Sequence, residues 1–167
     1  MRSLSFGLLV AVLVLTPHAT AVAAPKKVFL TVVDAGAFTF LSATSALVNG
    51  DGFEKQGKEL NNKVRSSGQL DLLGASPTCA NGFAARLAGT FIEANTADTF
   101  SYISDHDLCP TAQSGIFSAT GTYTITGGTG KYADAKGSGA IEGLNDFGEA
   151  KYRYLLDGSL SYDSDLH

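Results

Sequence analysis

Histidine, cysteine and long apolar runs are scarce in this chain, and each scarcity closes off a kind of chemistry. Three histidines occur: His18 near the amino terminus, His106, and the carboxyl-terminal His167. One interior histidine makes neither a zinc site nor a convincing catalytic triad, so no metal is expected. Two cysteines are present without C-x-x-C spacing, which argues against thiol redox catalysis. Basic residues number 12 against 16 acidic ones and form no run, a poor composition for gripping phosphates, so no nucleic acid is expected as a partner. No N-x-S/T acceptor occurs either, which leaves bacterial and eukaryotic sources equally open.

The one strongly apolar run is at the start. Residues 1–23 pair Arg2 with an apolar stretch from Leu4 to Leu15 and end on Ala21-Val22-Ala23. This is the pattern of a secretory signal peptide, well short of the ~20 residues that span a bilayer. Residues 24–167 then form one domain of ordinary size, secreted or periplasmic, with no later membrane span. Cys79 and Cys109 both fall in that exported part, and an oxidising compartment should pair them. The crosslink would remove ~3.5–4 kcal/mol of unfolded-chain entropy.

From Lys27 onward apolar residues alternate with polar ones in short runs rich in Val, Ile, Thr, Phe and Tyr, punctuated by Gly, Asn, Asp and Pro. A period of two means strands. Eight are expected, near 27–34, 37–48, 65–73, 83–94, 98–105, 114–126, 136–146 and 149–162. The polar segment 49–62 is expected at the surface, as a loop with a short helix or a protruding hairpin. Over 116–126, Phe117, Ala119, Tyr123 and Ile125 share one face and the threonines the other. Over 151–162, Tyr152, Tyr154, Leu156, Leu160 and Tyr162 oppose Lys151, Arg153 and Asp157. One wet face per strand suits an antiparallel sheet, and closure into an eight-stranded barrel would hide its edges.

The stretch FSATGTYTITGGTGKYADAKGSGAIEG, residues 117–143, superficially suggests nucleotide binding. A phosphate loop would need Gly where Ile125 stands and Ser or Thr where Tyr132 stands, and a dinucleotide helix could not run through Gly137 and Gly139. The structural account is preferred: Gly127 and Gly128 supply positive φ at a turn, Thr129 caps one helical turn, and the later glycines let the returning strand lie close to its neighbours.

The same residues, G-x-F-x-A-x-G-x-Y-x-I-x-G-G-T-G-K-Y-x-x-A-x-G-x-G from Gly115 to Gly139, resemble the signature strand pair of the allene oxide cyclase and dirigent barrels, most nearly their small exported bacterial relatives. The resemblance implies an all-β, eight-stranded antiparallel barrel, often trimeric in the plant members, with an apolar cavity. In those members the cavity guides cyclisation or coupling of a reactive intermediate without a cofactor. The shared motif contains none of their acidic catalytic residues, so it assigns no catalytic position here.

Candidate chemistry is sparse. Asp105-His106-Asp107 reads first as an exposed polar turn, although the face His106 shares with Phe100 and Tyr102 also allows it an inward position. Glu93, on a face with Leu87 and Phe91, and Glu142, between Ala140 and Leu144, are the candidate acids, since a buried carboxyl can hold its proton and act as a catalyst. Glu93 and His106 fall ~20 Å apart at opposite ends of one hairpin. Phe91, Phe117, Tyr123, Tyr152 and Tyr154 are the candidate ligand-binding residues, and Gly89, Ala119 and Gly121 suggest gaps among the rings. Two functions remain open: a barrel binding an apolar small molecule, with cyclase or isomerase activity as its enzymatic form, and a non-catalytic scaffold or interaction module. The interior volume separates them.

Overall fold

The computed structural model describes residues 25–163, so the signal-peptide expectation lies outside the described residues. Eight strands follow in order: β1 (Lys26–Phe40), β2 (Ser45–Gln56), β3 (Glu59–Ala75), β4 (Phe83–Glu93), β5 (Thr99–Pro110), β6 (Ile116–Gly128), β7 (Lys136–Asp146) and β8 (Lys151–Tyr162). Each pairs antiparallel with its neighbour in sequence, and β1 pairs with β8 to close the barrel. The expected all-β, eight-stranded antiparallel barrel is therefore the fold.

Closure removes both sheet edges, and alternation sends one side of every strand into a single interior. On β8, Tyr152, Tyr154, Leu156, Leu160 and Tyr162 are buried while Lys151, Arg153 and Asp157 are exposed. On β6, Thr120, Thr122, Thr124 and Thr126 face out.

The expected strands depart from the structure mainly in the first third. Gly36 is not a turn: β1 runs straight through it, and a Cβ there would stand 2.0 Å from the Asn49 carbonyl oxygen of β2. The glycine permits close strand approach rather than chain reversal. Segment 49–62 is the hairpin alternative, built of the ends of β2 and β3 around a two-residue turn with Gly57 at φ +57°. Asp105-His106-Asp107 is not an exposed turn either; β5 carries it to Pro110 with His106 inward and buried. At the 127–133 turn, Gly127 has φ +131° and Gly130 +57°, whereas Gly128 is in strand geometry against the Thr99 carbonyl. Thr129 makes no side-chain cap on the short 3-10 turn Gly130–Tyr132, its hydroxyl accepting instead from the Thr99 amide.

The Cys79–Cys109 disulfide is formed and fastens the β3–β4 loop to the end of β5. Among the described residues no helix is long and apolar enough to cross a membrane.

Candidate functional site

The interior is tyrosine-rich, and glycines set where the rings lie. A Cβ on Gly89 of β4 would meet the Tyr102 ring at 2.7 Å, and one on Gly143 of β7 would meet Tyr154 Cδ1 at 2.4 Å. Gly50 stands in the same relation to the Tyr152 hydroxyl, at 2.5 Å, and Gly158 to the Tyr123 hydroxyl, at 2.8 Å. The missing side chains make shelves for rings reaching from other strands. The gap expected at Gly89 is thus filled by the Tyr102 ring, while at Gly121 the neighbouring strand itself, at Asp105 and His106, lies close. Tyr123, Tyr154 and Leu156 expose 1%, 1% and 0% of their surface, so these walls border no solvent-sized void. Ring contacts continue the packing, with Phe91 stacked on Tyr102 at 5.1 Å and Tyr152 against Tyr154 at 5.1 Å.

Midway along the barrel a polar belt interrupts this packing. Asp34 of β1 is buried, and Ser66 Oγ donates to its Oδ1 at 2.9 Å while lying 3.0 Å from the Tyr152 hydroxyl. Burial pushes the Asp34 carboxyl above its ordinary value, against the opposing hydrogen bonds from Ser66 and Tyr152, and the negative Asp51 adds to the rise. The Tyr154 hydroxyl donates to Asn145 Oδ1 at 2.5 Å. His106 lies edge-on to the Tyr154 ring at 6.0 Å, with Nδ1 3.3 Å from Ser104 Oγ. Burial holds its imidazole down at about 4, so it is neutral at physiological pH. Two atoms beside Tyr154 have no hydrogen-bond partner, His106 Nε2 and Asn145 Nδ2; the Tyr123 hydroxyl, also without one, lies apart against Gly158.

A second network closes the barrel end formed by the β2–β3, β4–β5 and β6–β7 connections. Tyr132, delivered inward by the Gly130–Tyr132 turn, donates to Glu93 Oε1 at 2.6 Å, and its oxygen accepts from Gln56 Nε2. Gln56 Nε2 also donates to Glu54 Oε1 at 2.6 Å, and Tyr162 donates to Gln56 Oε1 at 3.0 Å. Lys131 Nζ reaches Glu93 Oε1 at 2.8 Å and the Thr96 hydroxyl donates to Glu93 Oε2 at 2.8 Å. Burial and the adjacent Glu93 raise Glu54 to about 7. Burial acts on Glu93 in the same sense, but hydrogen bonds from Glu54, Lys131, Tyr132 and Thr96 outweigh it and hold that carboxyl well below the usual range. Below about pH 7, Glu54 therefore keeps its proton while Glu93 is ionised.

Of the residues expected from sequence, Phe91, Tyr123, Tyr152, Tyr154 and Glu93 are inside. Phe117 is half-buried at the opposite mouth, 5.8 Å from Phe83 and 5.4 Å from Phe147. Glu142 is corrected: it is exposed, because the face it shares with Ala140 and Leu144 is the outer one, while Ile141 points in. Asp34, Glu54, Ser66, Tyr102 and Tyr132 were missed. Alternation carried through 46–56 would have found Glu54, on one face with Ala46, Val48 and Gln56.

No protein-family model matches the chain, and no curated protein matches it significantly. Among solved structures, that of a pterocarpan synthase dirigent protein matches with a TM-score of 0.52 at 14% identity, covering 90% of this chain and 99% of that one. At that identity the likeness is one of fold: the protein is a dirigent-like barrel.

Proposed function

We propose that the chain is an exported barrel that takes a small, largely apolar molecule bearing a carbonyl or hydroxyl oxygen into the middle of its lumen. Asp34, held toward its neutral form, serves there as general acid for a cofactor-free cyclisation or isomerisation. The observation that carries this reading is the pair of orphaned polar atoms flanking Tyr154, His106 Nε2 and Asn145 Nδ2, supplied by two different strands. Each unmet hydrogen bond costs ~1–3 kcal/mol, a cost a purely structural core would shed by apolar replacement. A ligand oxygen beside Tyr154, which pairs across the strands with Asp34, would satisfy both as that ring swings off its glycine shelf. Export is supported by the leader pattern of residues 1–23 together with the disulfide. The matching dirigent structure, described as a pterocarpan synthase, puts enzyme chemistry on this same fold.

The near-zero exposure of the interior rings favours a second reading, a filled barrel serving as a scaffold. Titration with an apolar fluorescent probe such as N-phenyl-1-naphthylamine separates the two. Luminal binding predicts saturable fluorescence that weakens in Tyr123→Trp and Tyr154→Trp and survives Thr120→Ser. Absence of binding, together with no ligand retained in native mass spectra of protein from its own source, would establish the scaffold.

A further inference from the structure

The outer surface of β1 is uncharged from Phe29 to Ala37: Phe29, Thr31, Val33, Ala35 and Ala37 face out in turn. Phe29 is 79% exposed and Val33 48%. β6, by contrast, presents threonines on its outer face.

The registers on either side of β1 give this strip an order. At the level of Val33, β2 contributes Phe53 and β8 contributes Leu155, both exposed apolar side chains. One level toward Ala35, β2 contributes Asp51 and β8 contributes Arg153. One level the other way, beside Thr31, β2 contributes Lys55 and β8 contributes Asp157. Each charged level therefore has opposite signs on its two flanks, and the order of signs reverses across the apolar level.

We propose that this face is the contact between two copies of the chain, related by a twofold axis running along β1. Such an axis exchanges the β2 flank of one copy with the β8 flank of the other at the same level. It sets Phe53 on Leu155, Asp51 on Arg153 and Lys55 on Asp157, each pair formed twice, while Val33 and Phe29 meet their own counterparts. A twofold interface must be complementary to itself, and this pattern is so at all three levels. An axis perpendicular to β1 through the Val33 level would instead set Asp51 on Lys55 and Arg153 on Asp157, so the pairing of Asp51 with Arg153 is the mark of the axis along β1. Small residues at positions 35 and 37 let the longer flanking side chains of two convex surfaces meet. The inference rests on nothing in the lumen and is independent of the ligand reading.

Sedimentation velocity across a concentration series is the test, with the disulfide and circular dichroism spectrum checked for each variant. The wild type is expected to pass from monomer to dimer. Asp51→Arg alone sets Arg on Arg, and Arg153→Asp alone sets Asp on Asp, so each should weaken association by at least about tenfold. Mixed in equal amounts, the two folded variants should dimerise with each other, since both of their cross-contacts pair opposite charges. A wild type that stays monomeric throughout, a trimer indifferent to both substitutions, or single variants that fail to complement each other would overturn the proposal.

Discussion

A tyrosine can lie against a barrel wall only where the neighbouring strand offers no side chain, and four interior glycines meet that condition here. Tyr102, Tyr123, Tyr152 and Tyr154 each occupy space that a single methyl on Gly89, Gly158, Gly50 or Gly143 would claim. The substitution Gly89→Ala should therefore force the Tyr102 ring from its place against Phe91. Overpacking of this kind costs ~1–3 kcal/mol, readable as a lower midpoint in denaturant, while Thr122→Ala on the exposed face of β6 should stay within ~0.5 kcal/mol. Equal and small effects at both sites would show the shelf to be unimportant. Sequence alternation told which face each of these residues occupies. It could not tell which ring from another strand leans over which glycine, and for that reason gaps were expected where the structure has rings.

Among the elements, the most consequential is the short turn Gly130–Tyr132, which turns GGTGKY from an apparent nucleotide loop into a stopper. Its backbone needs Gly130 at φ +57°, and its purpose is the delivery of Tyr132 to Glu93, Glu54 and Gln56. Tyr132→Phe keeps the ring's contacts with Phe100 and Tyr162 but strips its hydroxyl from a buried carboxylate. The loss should be ~1–3 kcal/mol, measured by equilibrium unfolding, whereas an unchanged stability would mean that the hydroxyl network contributes nothing net. The strands themselves were largely legible, since a period of two is a robust signal and turn residues separate most runs. The failures have physical causes. Gly36 and Gly50–Gly52 look like turn residues but serve close packing within β1 and β2, so the polar end of the β2–β3 hairpin was not read as wall. With that hairpin went Glu54 and Gln56, half of the stopper. Asp34, placed at a strand's end rather than its middle, was likewise not read as interior.

Across the whole molecule the buried titrating groups pull against one another. His106 is neutral in the folded protein down to about 4, compared with an ordinary value of 6.5. Between those values the unfolded chain binds the extra proton, so His106 makes stability rise with pH from about 4 to 6.5. Glu54 acts in the opposite sense. Its folded carboxyl holds a proton up to about 7 while the unfolded one releases it near 4.5, so its contribution falls as pH rises through that interval. Asp34, raised by burial, adds to the fall above its ordinary 3.8, and Glu93, lowered, contributes a rise that is complete by 4.5. Between pH 4.5 and 6.5 the His106 and Glu54 slopes, each approaching ~1.4 kcal/mol per pH unit, largely cancel. The wild-type unfolding free energy should accordingly change little across that window. Glu54→Gln should tilt it upward with pH, leaving His106 opposed only by Asp34, and His106→Gln should tilt it downward. Denaturant unfolding at half-unit pH intervals reads all three profiles. Two variants that both retain the wild-type profile would mean that neither group is held away from its ordinary protonation, and that the interior is wetter than its packing indicates.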